Sequence, residues 1–327
     1  MPQTWQHSLQ VSIRAIDLFS GGGGSSWGAS KAGAKIVAAF DRWNVAAKTH
    51  HTNFPDAKFF PGKLENRNLK KLTKKLGRID LILASPECTS HSPARGNKPG
   101  CKASKDTAFQ VIRFARAFKP RWVIIENVVS MRKWSRYAEF KRKLQKQNYN
   151  VREQVLNAMH FGVPQSRRRL FLLCDRKRMP KELAVSGDSP RTAKTLVNLN
   201  GKYQYAPLYK KDRAKATLLR ARRALRALGK SKPFLLVYYG SDAAGGWQHM
   251  NRPLRTVTTV DRFAVVRRSQ SGRGMRMLQV PELQIAMGMH AMRFEYGTRR
   301  DQIKLLGNAV CPPVMRAVVS HLTSGAK

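Results

Sequence analysis

Short apolar runs alternate with stretches of helical periodicity through the first half of this chain. That rhythm restricts the fold more than any other feature. Residues 13–19, 35–40, 79–84, 122–126 and 170–174 read as strands. Residues 25–32, 44–53, 66–76, 106–118 and 137–147 read as helices. The run at 79–84, IDLILA, is short, nearly all apolar and bounded by turn signals, as a buried parallel strand should be. Strands alternating with helices specify an α/β protein with a doubly wound, Rossmann-like sheet. In such sheets ligands bind beyond the carboxyl ends of the strands. The most suggestive residues fall at those ends. Gly21 to Gly24 follow the first strand, Asp41 follows the second, Ser85 to Ser92 follow the fourth, and Glu126-Asn127 end the fifth.

The character changes after about residue 177. Residues 210–232 read as a basic amphipathic helix, 234–239 as a strand and 252–266 as β-rich, with helices at 281–288 and 312–322. No run of 18 apolar residues predicts a membrane span, and the polar N-terminus has no signal-peptide core. The 4 cysteines are scattered without a CxxC pair, so neither a zinc site nor a disulfide scaffold is expected. A reducing, cytoplasmic setting fits. Charge narrows the partners. Lys plus Arg number 62 against 19 Asp plus Glu, a formal net charge of +43. Such an excess suits a protein that works on a polyanion, and nucleic acid is the obvious one. Charge alone does not choose DNA over RNA, or an enzyme over a packaging protein.

Four segments can carry chemistry, and each has a plainer reading. Asp17-Leu18-Phe19-Ser20-Gly21-Gly22-Gly23-Gly24 allows close backbone approach to a ligand, though a bare Gly-rich turn is weak evidence. It lacks the Lys-Ser/Thr pair of a phosphate-binding P-loop. With Asp41 placed to hold a ribose hydroxyl, it indicates an adenosine-containing cofactor. Cys88 lies in a loop at a strand end and is a candidate nucleophile, although a lone Cys is more often a small buried hydrophobe. Glu126 ends an apolar strand, where a carboxylate is costly unless paired or functional. Gln165-Ser166-Arg167-Arg168-Arg169 precedes another apolar strand and could be a simple basic edge.

Together these segments resemble the cytosine-C5 DNA methyltransferase family. The Gly-rich turn looks like its first cofactor motif, Ser85-Pro86-Glu87-Cys88 like its Pro-Cys motif, and Glu126-Asn127-Val128 like its Glu-Asn-Val motif. Gln165, Arg167 and Arg169 match Gln-x-Arg-x-Arg. Arg252-Pro253-Leu254-Arg255-Thr256-Val257-Thr258 is similar to the stretch after the target-recognition region, and Gly307-Asn308-Ala309-Val310 to the closing cofactor motif. Glu87 and Thr89 depart from the usual neighbours of the nucleophile, and Lys63 stands where the family often has an acid.

The resemblance implies S-adenosyl-L-methionine as cofactor, S-adenosyl-L-homocysteine as product, and double-stranded DNA as partner of a monomer without metal. It implies catalysis by Cys88, Glu126, Arg167 and Arg169. Cofactor contacts would come from Asp17, Phe19, Ser20, Gly21, Gly23, Asp41, Arg42, Leu64, Pro86, Asn308, Ala309 and Val310. DNA contacts would come from Ser90, Arg95, Gln165, Arg168, Arg252 and Thr258. Residues 1–177 would form the catalytic and cofactor-binding domain, and 178–250 a smaller target-recognition domain. Residues 251–327 would be a β-rich segment and C-terminal helices, the last returning to the catalytic domain. An RNA (tRNA-type) cytosine methyltransferase and a catalytically weak DNA-binding homologue are the alternatives.

Overall fold

The computed structural model describes residues 12–87, 107–185, 189–239, 245–270 and 272–324. Its first sheet is built from β1 (Arg14–Leu18), β2 (Lys35–Asp41), β3 (Lys58–Pro61), β4 (Leu81–Ala84), β5 (Trp122–Asn127), β6 (Asn150–Asn157) and β7 (Arg168–Asp175). The order is β3-β2-β1-β4-β5-β7-β6. Neighbours are parallel from β3 to β5, while β7 runs antiparallel to both β5 and β6. This is the doubly wound sheet expected from the sequence rhythm.

Side-chain alternation along the strands feeds two cores. Ala15, Leu81, Leu83, Ile124 and Phe171 face one side, under α1 (Gly24–Lys31) and a final helix, Pro312–Thr323. Ile16, Ile82, Val123, Ile125 and Leu172 face the other, under helices Ala108–Phe118 and Tyr137–Gln145. In chain order the helices are α1, α2 (Asn44–Asn53), α3 (Leu69–Leu76), α4 (Ala108–Phe118), α5 (Tyr137–Gln145), α6 (Lys215–Leu228), α7 (Val280–Ala286), α8 (Arg299–Asn308) and α9 (Pro312–Thr323). Helix α9 returns from the end of the chain to pack on α1. Gly28 permits this contact, because a Cβ there would stand 2.5 Å from the Pro312 carbonyl oxygen.

A second, antiparallel sheet has the order β10-β9-β11-β12-β8. Its strands are β8 (Ala206–Pro207), β9 (Phe234–Val237), β10 (Trp247–His249), β11 (Phe263–Ser269) and β12 (Gly272–Met277). Alternation again divides the side chains. Phe234, Leu236, Ala264 and Val266 pack under the basic helix α6. Leu235, Val237 and Val265 join the core that runs beneath the first sheet. The second sheet takes strands from both sides of residue 250, so the expected recognition segment and the segment after it share one structure.

Three local expectations change. The helix expected over 66–76 begins at Leu69, because Asn68 caps it by accepting from the Lys71 N–H at 3.0 Å. The stretch expected to be β-rich over 252–266 is strand only from Phe263; before it there is a single bridge, Gln165 to Leu254. Strands β6, β8, β10 and β12 and helix α8 were not foreseen. No helix of the described residues is long and apolar enough to cross a membrane.

Candidate active site

The carboxyl ends of β1, β2, β4 and β5 meet at one rim. On its β1–β2 side the chain turns sharply: Phe19, Gly21 and Gly23 have φ of 59°, 53° and 97°. Asp41 organises this turn. One carboxylate oxygen accepts the Gly21 N–H and the other the Trp43 N–H, each at 2.9 Å. A carboxylate has lone pairs left for further donors such as a ribose diol. A Cβ on Gly21 would meet no atom of the described residues within 4 Å, which leaves space over the turn for a ligand. These features fit the cofactor that the resemblance implies. Gly24 has the opposite role, since a Cβ there would lie 2.4 Å from the Val310 carbonyl oxygen. It lets the closing segment Asn308-Ala309-Val310 dock on the turn. Arg42 pairs with Glu87 at 2.9 Å, linking the ends of β2 and β4. Leu64 is buried behind the rim, and Phe19 packs against the second core.

Beneath the turn lies a polar cluster that sequence reasoning missed. Asp17 is fully buried, and its Oδ2 accepts from the hydroxyls of Ser25 at 2.5 Å and Ser26 at 2.6 Å. Ser26 Oγ also lies 3.0 Å from His50 Nε2. Burial pushes the Asp17 carboxyl up to about 6 and the His50 imidazole down to about 3. Asp17 Oδ1 is buried with no hydrogen-bond partner among the described residues. The available signal was the Ser25-Ser26 pair directly after the glycines.

On the β4–β5 side Glu126 is 5% exposed and pairs with Arg169 Nε at 3.1 Å. Burial raises the Glu126 carboxyl above the usual carboxylate range; Arg169 and then Arg167 pull the other way. Asn127 Nδ2 donates to the Pro86 carbonyl at 3.1 Å, tying the end of β5 to the segment that leads to Cys88. Cys88, Ser90 and Arg95 lie outside the described residues. Cys311 shares a small cavity with Glu126, Arg167 and Arg169. Burial lifts its thiol to about 11 and raises that of Cys174 as well, so both are packing residues.

The Gln-x-Arg-x-Arg residues divide. Arg169 reaches Glu126, whereas Arg167 is a brace. Its guanidinium donates to the carbonyls of Val257 at 2.9 Å, Gly307 at 2.7 Å and Ala309 at 3.0 Å. Gln165 is also fully buried. Its amide donates to the Ala286 carbonyl at 2.7 Å and accepts the Val257 N–H at 2.8 Å. It therefore holds backbone together and has no free surface for the expected DNA contact. Arg168 and Arg252 are exposed, and Thr258 is half-buried with its hydroxyl on the Val260 carbonyl. No group of three or more His, Cys, Asp or Glu among the described residues could hold a metal ion.

The strand order, with its antiparallel β7 and a glycine-rich turn after β1, is that of an S-adenosylmethionine-dependent methyltransferase fold. The C-5 cytosine-specific DNA methylase family matches residues 13–324, and the chain belongs to that family. It is 30% identical over 163 residues to type II methyltransferase M.HindV of Haemophilus influenzae, covering 49% of this chain and 52% of that one. It is 34% identical over 187 residues to type II methyltransferase M1.BsuMI of Bacillus subtilis, covering 50% and 43%. These matches span about half the length of the curated relatives. The fold is similar to that of Entamoeba histolytica methyltransferase EhMeth, with a TM-score of 0.70 at 17% identity over 97% of this chain and 100% of that one. It is also similar to a Spodoptera frugiperda DNMT2 mutant, with a TM-score of 0.66 at 18% identity over 96% and 100%.

Proposed function

We propose that the chain methylates C5 of cytosine in double-stranded DNA, with Cys88 as nucleophile. The observation that carries this reading is the buried Glu126 carboxyl, raised by burial and paired with Arg169, beside the Asn127–Pro86 tether. Cytosine C5 is a poor nucleophile. Addition of the Cys88 thiolate to C6 moves electron density onto C5. A Glu126 carboxyl that holds a proton can donate to N3 as charge builds on the ring, and Arg169 offers a further donor. After transfer, loss of the C5 proton and expulsion of the thiolate restore the aromatic ring. Bound S-adenosylmethionine supplies the electrophilic methyl group, and the Gly21 turn, Asp41 and the Asn308-Ala309-Val310 segment would hold it. A base inside a duplex cannot reach the rim, so it must swing out of the stack at a cost of a few kcal/mol.

The test is methyl transfer to duplex DNA and to RNA of matched sequence, by wild type and Cys88→Ser. The expected result is 5-methylcytosine in duplex DNA from wild type alone, with cofactor binding kept by the variant. Transfer to RNA in preference to duplex overturns the substrate. Near wild-type transfer by Cys88→Ser overturns the nucleophile.

A further inference from the structure

The far end of the first sheet carries an electrostatic feature with no part in the chemistry above. Arg116, Lys119, Arg142, Lys143, Lys146 and Arg176 line one open groove around the C-terminal ends of α4 and α5. Glu139 is the one carboxylate lining it among the described residues. That carboxylate is already held by Arg136 at 2.8 Å and Lys143 at 3.0 Å. The plain account is that cations complement helix C-termini, each worth about half a negative charge. Two such ends and one carboxylate leave an excess of about four positive charges. Helix complementation therefore does not account for the groove.

Register sets its distance from the rim. Trp122, at the start of β5, pairs with Asp175, immediately before Arg176, while Glu126 and Asn127 lie at the other end of β5. Five residue steps at ~3.3 Å put the two ends about 17 Å apart. A duplex is stiff over about 50 nm, so one held at the rim does not curl round to this end unaided. The groove also lacks a stacking platform. Among the described residues no aromatic lines it, and Tyr149 nearby lies under the Arg176 guanidinium at 4.7 Å. Unpaired bases need bare rings, whereas a phosphate backbone needs only cations.

We propose that this groove is a second site for the phosphate backbone of duplex DNA, so that one chain holds two DNA segments at once. The segment in the groove is not the segment being modified. Such a chain can pass between distant segments without returning fully to solution.

The test counts duplexes bound per chain at saturating short duplex, for wild type and a Lys119→Glu, Arg142→Glu, Lys146→Glu variant. A control reverses the same charge on α3, with Lys70→Glu, Lys71→Glu and Lys74→Glu, all exposed. Wild type and control should bind two duplexes, and the groove variant one. The groove variant's second-site affinity should fall about tenfold or more, and its salt slope by about 2.7 if three phosphate contacts are lost. Its transfer to a single short duplex should be unchanged, and cofactor binding reports that it is folded. The proposal fails if wild type binds one duplex, if the control loses as much as the groove variant, or if the groove captures single-stranded RNA in preference to duplex. The stoichiometry, affinity and salt-slope readings need no methyl transfer, so they stand or fall apart from the proposed activity.

Discussion

Buried carboxylates occur both at the rim and at the seam between the two sheets, and they are treated in opposite ways. At the seam, Glu282 of α7 meets Arg276 of β12 through two bonds of 2.7 Å, with both side chains almost fully buried. Glu282 also accepts the backbone N–H of Asn198 at 2.8 Å and of Gln279 at 2.7 Å. Four donors saturate it, and nothing is left for a ligand. At the rim, Glu126 has one ion-pair partner among the described residues, Arg169, and Asp17 keeps an oxygen with no partner. Buried polar groups are normally satisfied, and exceptions concentrate where a structure does something besides stand up. The saturated carboxylate is a rivet; Glu126 is held by fewer backbone donors at the rim, and Asp17 keeps an unpaired oxygen beneath the turn.

The largest effect should follow from opening the rivet. Glu282→Gln leaves Arg276 charged and buried, which costs about 3–5 kcal/mol. Denaturant unfolding should show this loss, and Arg276→Met with Glu282→Leu should recover much of it. If Glu282→Gln unfolds like wild type, the seam pair is not the rivet described. The reverse is expected at the rim. Glu126→Gln should cost 10²–10³ in kcat/KM, about 3–4 kcal/mol of transition-state stabilisation. Its stability should change by under about 1 kcal/mol, because Arg169 can turn toward water. A large stability loss with normal turnover would erase the distinction between the two carboxylates.

Arg167 should give an intermediate effect. Arg167→Lys keeps the charge but replaces a rigid fork on three carbonyls with a single ammonium. A loss of about 2 kcal/mol in stability is expected. Cofactor affinity should weaken too, because Gly307 borders the closing segment and Ala309 lies within it. Unchanged affinity with lowered stability would confine Arg167 to packing.

Much of this was legible in the sequence, for identifiable reasons. The buried strands β4 and β5 are built on continuous apolar runs, and β1 on one broken only by Arg14 and Asp17, so their ends, and the residues at those ends, were found directly. Strand β6 was missed because it is an edge strand whose sequence, NVREQVLN, is mostly polar and half-buried. Helix α8, RRDQIKLLGN, was missed because it opens with charge and is defined by its cap, where Thr298 and Asp301 bond each other's backbone. The roles within Gln165-x-Arg167-x-Arg169 could not be read from spacing. The three precede or open β7, and Arg167 and Gln165 meet partners more than 80 residues away while Arg169 meets Glu126. Asp17 was read as part of a ligand turn, but its hydroxyl partners come from α1, and the His50 that bonds Ser26 comes from α2, so the cluster depends on the tertiary fold.

The smallest effect concerns that cluster, and its sign is the informative part. Folding raises Asp17 from an ordinary 3.8 to about 6 and lowers His50 from 6.5 to about 3. A raised carboxyl favours the folded state most at low pH, and that stability is lost as pH climbs through 6. A lowered imidazole acts oppositely: its stability is present above 6.5 and lost as pH falls toward 3. Between pH 4 and 6 the unfolded chain holds the proton on His50, and the folded chain holds it on Asp17. The two slopes, each about 1.4 kcal/mol per pH unit, therefore cancel in wild type. Asp17→Asn should expose the histidine slope, so that stability relative to wild type rises by about 1.4 kcal/mol per pH unit across this window. His50→Gln should expose the carboxyl slope and fall by the same amount. If the cluster instead folds as a charged Asp17–His50 pair bridged by Ser26, the carboxyl slope moves below pH 3.8 and the imidazole slope above 6.5, so neither variant drifts from wild type between pH 4 and 6. Denaturant midpoints for the two variants at pH 4, 5 and 6 separate the cases, and a charged pair would mean that the rim satisfies its carboxylates much as the seam does.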